Sequence, residues 1–279
     1  MTQILQILLA SDLTERSRSA LLRAVQLKRA TAAGLTVLHV AEPALTGELA
    51  KSRQAAAMAT MEAHLSEVSA GKLRRVLIKV AVGDPVSAIV AEAGSRHADL
   101  VVLGQPGKHR IKELLAGTTA ERVIRYSRRP TLMTKVPSDQ PYRRVVIAFD
   151  RSEAAQRALV TALTLAPRAE FHLVYASQSP KAGRGEGDAG SMQVLLENAA
   201  KQVMRRSLYH YTRLTIEVRE GVPAHAIASA MQALDADLLA MGTHGRGRLQ
   251  TALFGSVAQE LLAVSPCDVL VTGPKLREE

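Results

Sequence analysis

The chain has 279 residues, 47% of them hydrophobic, and a formal net charge of +10, which suggests two domains that each bury an aliphatic core. With no Trp and 3% aromatic residues, the composition disfavours the base-stacking platforms of single-stranded nucleic-acid binding. The single cysteine, Cys267, excludes an internal disulfide and any multi-cysteine metal site, and it fits a reducing cytoplasm.

The positive charge is unevenly distributed along the chain. Residues 1–138 hold 20 Lys+Arg against 11 Asp+Glu, whereas residues 139–279 hold 16 against 15. This excess favours anionic partners, namely nucleotide phosphates, acidic proteins or nucleic acid. A solvated basic surface is the alternative, because the arginines are scattered along predicted helices.

Apolar runs alternate with helical patterns along the first half, which predicts a parallel sheet with helices on both faces. A helix is expected to about Thr31, a long one over roughly 48–70, one from the Gly83-Asp84-Pro85 turn to about Ser95, and one at about 118–127. The predicted strands are residues 3–10, Leu35–Val40, Leu73–Val80, Leu100–Leu103 and Thr131–Val136.

The connector Pro137–Pro141 shows no periodicity, and the same pattern then repeats, so we predict two domains over residues 1–137 and 142–279. Four landmark pairs are each separated by 138 residues, which indicates an internal repeat. The pairs are Asp12 and Asp150, Gly83 and Gly221, Gly104 and Gly242, and Gly117 and Gly255.

A glycine motif follows a buried strand in each half. In the second half it is Gly242-x2-Gly245-x9-Gly255-Ser256, and in the first it is Gly104-x2-Gly107-x9-Gly117-Thr118. Glycines at a strand–helix junction allow a sharp turn and a close ligand approach, and a helix N-terminus offers free N–H groups to phosphate.

This doubled motif resembles the nucleotide-binding signature of the universal stress protein family in its tandem form. The resemblance implies two doubly wound, Rossmann-like parallel sheets of five strands each. In such sheets ligands bind beyond the strand C-terminal ends, where the strand order reverses.

The resemblance also implies a set of site residues in the second half. Gly242, Gly245, Gly255 and Ser256 would hold the ribose and phosphates of ATP. Asp150 would face the adenine, and the backbone of Tyr175 would bind its edge. The alternative is that these glycines only shape the turn.

The corresponding residues of the first half are Asp12 and Val40 on the base side, with Gly104, Gly107, Gly117 and Thr118 around the phosphates. Here the pattern departs from the second half, because Gln105-Pro106 replaces Thr243-His244. A proline at position 106 removes one N–H, which weakens any phosphate contact made there.

Three functions are compatible with this sequence. The first is an ATP-binding, nucleotide-dependent stress-response regulator, with Mg²⁺ as an optional companion of the triphosphate. The second is a slow ATPase or nucleotidyl transferase, for which Asp150 and His244 are the only candidate groups, so enzymatic activity stays open. The third is a module with degenerate sites that binds a lipid, another small ligand or a protein.

We expect no membrane span, because no apolar run approaches the required length. The first residues lack the basic start and cleavage site of a signal peptide, so a cytoplasmic location is expected. Family resemblance implies that the halves pack as a pseudo-dimer through Thr131–Val136 and Val269–Thr272. It further implies that two chains form a homodimer. A separate protein partner is also expected, and the sequence does not identify it.

Overall fold

The computed structural model describes residues 4–43, 46–69, 73–105, 118–177, 189–205, 213–243 and 255–273. The contacts divide them into two compact units, residues 4–141 and a unit that begins at Tyr142. The limits of the two domains otherwise stay a prediction. Strands and helices alternate through both units.

The described residues of the first unit form five strands and four helices. In chain order they are β1 (Gln6–Ser11), α1 (Glu15–Thr31), β2 (Gly34–Ala41), α2 (Gly47–Ser69), β3 (Val76–Val82), α3 (Pro85–Ser95), β4 (Leu100–Leu103), α4 (Thr119–Ser127) and β5 (Thr131–Met133).

The second unit repeats this order over its own described residues. Its elements are β6 (Arg144–Ala148), α5 (Glu153–Leu165), β7 (Glu170–Ser177), α6 (Ala189–Arg205), β8 (Leu214–Glu220), α7 (Pro223–Ala233), β9 (Leu238–Gly242), α8 (Ser256–Val264) and β10 (Asp268–Thr272).

Each unit contains a parallel five-stranded sheet, with strand order β3-β2-β1-β4-β5 in the first and β10-β9-β6-β7-β8 in the second. The predicted fold class, two tandem doubly wound α/β sheets, is therefore confirmed. The strand order reverses between β1 and β4 and again between β6 and β9. These two places are the switch points at which such sheets bind ligands.

The core is aliphatic, as the composition predicts. All four residues of β4 and all five of β10 are buried, because helices cover both faces of a parallel sheet. Phe149 and Phe171 are the largest fully buried side chains among the described residues.

In the part of the chain that the structure describes, no helix combines the length and apolar character that a membrane crossing requires.

One aspartate in each unit fixes the amino ends of the two central strands. The Asp99 carboxylate, just before β4, accepts hydrogen bonds from the backbone N–H groups of Leu5 and Gln6 at 2.8 and 2.9 Å. Asp237 lies 138 residues further on and accepts from Arg143 and Arg144 at 2.8 and 3.2 Å. This pair extends the internal repeat to a contact that the sequence pattern did not reveal.

Several strand boundaries differ from the prediction by one to three residues, among them those of β3 and β5. β3 begins at Val76 rather than Leu73, because Arg75 has a φ of 58° and its left-handed backbone cannot continue an extended strand. β5 ends at Met133 rather than Val136.

A buried carboxylate ties α3 to the edge strand β3. Glu92 is 5% exposed and accepts from Lys79 Nζ at 2.5 Å and from Arg96 Nε at 3.0 Å. Burial by itself raises the pKa of Glu92, but the hydrogen bonds and charges of Lys79 and Arg96 outweigh it, and the net pKa lies below its usual value.

A carboxylate with a depressed pKa in the folded state stabilises the protein above its unfolded pKa of about 4.3, and this stability is lost as the pH falls through the folded pKa. We therefore expect Glu92→Gln to be less stable than the wild type at pH 7 and the difference to shrink below about pH 4. Urea denaturation followed by circular dichroism at both pH values measures this. Glu62→Gln, at an exposed glutamate, is the control, and an unchanged stability difference at low pH would contradict the assignment.

Candidate functional site

A crevice lies at the switch point of the second unit. Its cavity of about 340 Å³ is formed by the carboxyl ends of β6, β7 and β9 and the first turns of α7 and α8. Five of the predicted residues of this half line it together: Asp150, Tyr175, Gly242, Gly255 and Ser256. The sixth, Gly245, lies outside the described residues.

The walls of the cavity are mostly apolar. Val174, Ile227, Met241 and Leu261 face it from the sheet and from α7 and α8. Sequence reasoning missed these side chains, because they read as ordinary core positions. Asp150 and Tyr175 are the ionisable side chains among the described residues that line the cavity.

A tight turn holds the Asp150 carboxylate at the mouth of β6. Its Oδ1 accepts from the Ser152 N–H at 2.9 Å, and the Ser152 hydroxyl in turn accepts from the Ala155 N–H as the N-cap of α5. Between them Arg151 adopts a left-handed φ of 65°. The backbone of this turn thus helps to position the carboxylate.

Two helix N-termini face the cavity without a side-chain cap. Gly255 is the N-cap of α8 and Val222 that of α7, and neither helix has a capping side-chain hydrogen bond. The first residues of both helices, Ser256 and Pro223, line the cavity. N–H groups at an uncapped helix start are available to an anion, and the helix dipole favours negative charge there.

The ends of the glycine loop are fixed to each other. The Thr243 N–H donates to the Thr272 carbonyl and the Gly255 N–H donates to the Thr243 carbonyl, both at 2.9 Å. Residues 243 and 255 therefore keep a set distance at the cavity rim, whatever lies between them.

Packing alone requires a glycine at position 242. A Cβ at this position would lie 2.7 Å from the Ala154 Cβ and 3.0 Å from the Ala155 backbone nitrogen, at the start of α5. Contacts this short do not occur in folded proteins without a shift of the backbone. The glycine therefore allows α5 to approach the end of β9.

In the first unit, Asp12 and Gly104 follow β1 and β4 at the equivalent switch point, and Asp12 repeats the turn of Asp150. Its Oδ1 accepts from the Thr14 N–H at 3.0 Å and from the Thr14 hydroxyl at 2.7 Å. The predicted residues Gly107 and Gly117 lie outside the described part of the chain, as does Pro106.

The two helix starts of the first unit that correspond to those of α8 and α7, namely those of α4 and α3, have side-chain caps. Thr118 and Glu121 form a capping box at α4, in which the Thr118 N–H donates to the Glu121 carboxylate at 2.8 Å. At α3, Asp84 accepts from the Ser87 N–H, and this bond and the Ser87 hydroxyl lower the pKa of Asp84. The second unit has glycine and valine at these two N-cap positions.

The strand register identifies the residue of the first unit that is equivalent to Tyr175. β1 pairs Ala10 with Leu38, and β6 pairs Ala148 with Val174, so the counterpart of Tyr175 is His39. Val40 corresponds to Ala176, which also lines the cavity. Sequence reasoning therefore missed Ala176 and His39, whose ring Nδ1 lies 2.9 Å from the Ser11 carbonyl oxygen.

A doubly wound parallel sheet that occurs twice, with an apolar crevice and free helix starts at a switch point, defines the class of tandem Rossmann-like α/β domains. The model of the universal stress protein family matches residues 4–135 and 141–273. The chain belongs to the universal stress protein family and carries its domain twice, which confirms the family resemblance of the sequence.

Similar proteins support this assignment. A universal stress protein of Methanocaldococcus jannaschii is 32% identical over 145 residues, which cover 49% of this chain and 85% of the relative. One from Thermus aquaticus is 31% identical over 134 residues, covering 47% and 98%. A universal stress protein structure from Archaeoglobus fulgidus shares the fold, with a TM-score of 0.74, 21% identity and coverage of 98% and 100%.

The packing at Gly242 gives a direct prediction. Gly242→Ala should destabilise the second unit by about 1–3 kcal/mol, because the added methyl group meets the backbone of α5. Chemical denaturation measures this loss. Gly94→Ala in α3 is the matched control, since a Cβ there meets nothing within 4 Å. Equal stability of Gly242→Ala and the wild type would show that α5 can move away.

Proposed function

We propose that the second unit binds an adenine nucleotide, ATP in the first instance, and that the protein acts as a nucleotide-dependent regulator in the stress response. The observation that carries this proposal is the single cavity of about 340 Å³ shared by Asp150, Tyr175, Gly255 and Ser256. Ligand pockets of small molecules have volumes of about 300–1,000 Å³ and combine apolar walls with a few polar groups.

The two ends of the cavity suit the two ends of a nucleotide. The apolar walls beside Val174 and Met241 offer a surface to the base, with Asp150 and the backbone of Tyr175 and Ala176 at its edge. The uncapped N-terminus of α8 offers N–H groups and a favourable dipole to phosphate. No described cation in the lining competes with this helix end for the phosphates.

The role of Mg²⁺ in this proposal is confined to the phosphates. In the described part of the chain no cluster of His, Cys, Asp or Glu has the arrangement of a metal site. Mg²⁺ that accompanies a triphosphate would be held by phosphate oxygens and water. The expected homodimer and cytoplasmic location stay predictions.

The first unit is proposed as the weaker site. Its α4 N-terminus already bonds the Glu121 carboxylate, and a phosphate has to compete with that bond. Asp12, Val40, Gly104 and Thr118 stay predicted ligands of this half.

Calorimetric titration with ATP tests the principal site. We expect wild-type protein and Asp12→Ala to bind with similar affinity, and Asp150→Ala to bind at least about tenfold more weakly, the loss of one hydrogen bond to a charged group. Native mass spectrometry gives the number of nucleotides bound. Asp12 is the matched control because it occupies the same turn in the other half.

The opposite pattern, in which Asp12→Ala loses affinity and Asp150→Ala does not, would move the principal site to the first unit. No binding of ATP at millimolar concentration would refute the proposal and favour a lipid or another small ligand in the cavity.

We further propose that the nucleotide is bound and not turned over. Asp150 and Tyr175 are the ionisable side chains of the described lining, and one of them already serves the turn before α5. Steady-state phosphate release from ATP should therefore be the same for wild-type protein and Asp150→Asn. At ATP concentrations that saturate both proteins, a rate that is clearly higher in the wild type would assign a hydrolytic role to Asp150.

A further inference from the structure

The amino ends of the strands in the first unit carry an exposed row of cations. We name this row the arginine edge. Its members are Arg74, Arg75, Arg96, His97, Arg128 and Arg129, all exposed except Arg129, which is half-buried. The arginine edge lies at the amino ends of the first unit's strands, opposite the carboxyl ends that form that unit's own switch point, so nothing in the proposed function accounts for it.

The topology arranges these cations along the sheet. Arg74 and Arg75 precede β3, Arg96 and His97 precede β4, and Arg128–Arg129 precede β5. In the order β3-β2-β1-β4-β5 the outer strands are four steps apart, which is roughly 19 Å at about 4.8 Å per step. An extended peptide of about six residues covers this distance.

Most of these cations have no ion-pair partner among the residues that the structure describes. Arg96 pairs with Glu92 at 3.0 Å. The guanidinium groups of Arg74, Arg75, Arg128 and Arg129 have no ion-pair partner among the residues that the structure describes.

The pKa of a neighbouring lysine is consistent with this excess. Lys28 is 7% exposed and donates to the Ala33 carbonyl. Burial lowers the pKa of Lys28, and the charge of Arg75 lowers it further. Among the described residues, no carboxylate offsets the effect of Arg75 on the pKa of Lys28.

The second unit neutralises the same edge of its own sheet. Arg213, the counterpart of Arg75, pairs with Glu170 at 2.9 Å. Glu170 is equivalent to Gly34 of the first unit. Glu170 pairs with Arg144 in the second sheet, and Gly34 pairs with Gln6, the equivalent of Arg144, in the first.

A second ion pair of the second unit makes the same contrast. Asp235 pairs with Arg144 at 2.5 Å and occupies the position of His97. Both residues have a left-handed backbone, with φ values of 45° and 50°. The backbone therefore accepts an acid or a base here, and the first unit has a base.

Stabilisation of helix ends explains only part of the arginine edge. Arg96 and Arg128 are C-caps of α3 and α4, where a cation favours the helix dipole. Arg74 and Arg75 precede a strand, and α2 ends earlier, at Ser69. The helix dipole therefore does not account for these two arginines.

We propose that the arginine edge docks the acidic face of a partner protein. Arginine forks bind carboxylates with two parallel hydrogen bonds, and arginine and tyrosine are enriched at protein interfaces. Beside the cations, Leu5 just before β1 is 55% exposed and Tyr126 in the last turn of α4 is 52% exposed. Exposed apolar groups among arginines suit a protein surface better than a nucleic-acid backbone, which offers phosphates alone.

Fluorescence anisotropy tests the proposal on the full chain, with a labelled peptide of alternating glutamate and leucine as the probe. We expect saturable binding that weakens as salt is added. The variant Arg74→Gln/Arg128→Gln/Arg129→Gln should bind at least about tenfold more weakly, since each exposed ion pair contributes modestly and three are removed.

The matched control has the same net charge as this variant. Arg53→Gln/Arg143→Gln/Arg168→Gln removes three exposed arginines that are not members of the arginine edge, and it should bind the peptide as the wild type does. Thermal melting of both variants, followed by circular dichroism, shows that each is folded, and calorimetry with ATP should be unaffected in both.

Three outcomes would overturn the proposal. The first is equal loss of peptide binding in the two variants, which would reduce the effect to net charge. The second is peptide binding that is unchanged when the arginine edge is neutralised. The third is tighter binding of duplex DNA or of anionic lipid vesicles than of the peptide, which would assign the arginine edge to phosphate.

Discussion

A backbone-bound carboxylate sets the geometry on which each half of the protein depends. Asp99 and Asp237 join the amino ends of the two central strands by accepting two N–H groups apiece. The strand order reverses between these two central strands. The hydrogen bonds therefore hold the two strands together at their amino ends, opposite the carboxyl ends at which the switch point lies. Because the aspartate bonds to the backbone, the side chains on these strands can vary while the crevice stays in place.

At the other end of the central strands, a packing requirement and a binding requirement coincide. Gly242 has no room for a Cβ, because α5 begins against it. A glycine motif is therefore not by itself evidence of a ligand, since one of its glycines is explained by a helix contact. The stronger evidence is that Asp150, Ser256 and an uncapped α8 share one cavity with apolar walls.

The sequence predicts the fold well because strand–helix alternation and a repeat of 138 residues are both global signals. It predicts local register less well. Gly34 and Glu170 occupy equivalent positions in the second strands of the two halves, and they are 136 residues apart. The second strands are therefore shifted by two residues relative to the general repeat of 138 residues. Val40, the base-side candidate of the first half, is therefore equivalent to Ala176 and not to Tyr175. The left-handed Arg75 and the apolar cavity wall depend on tertiary contacts, which no periodic pattern records.

The two halves share one strand order but differ in where they carry charge, and this difference separates folding from function. His97 and Asp235 occupy the same left-handed position, and the sheet forms with either. The fold therefore does not require positive charge at the amino ends of the strands. A duplicated domain offers an internal comparison: features that both copies share, such as the aspartate that joins the central strands, belong to the fold. A feature that one copy has and the other neutralises, such as the arginine edge, is not required by the fold and needs a different explanation.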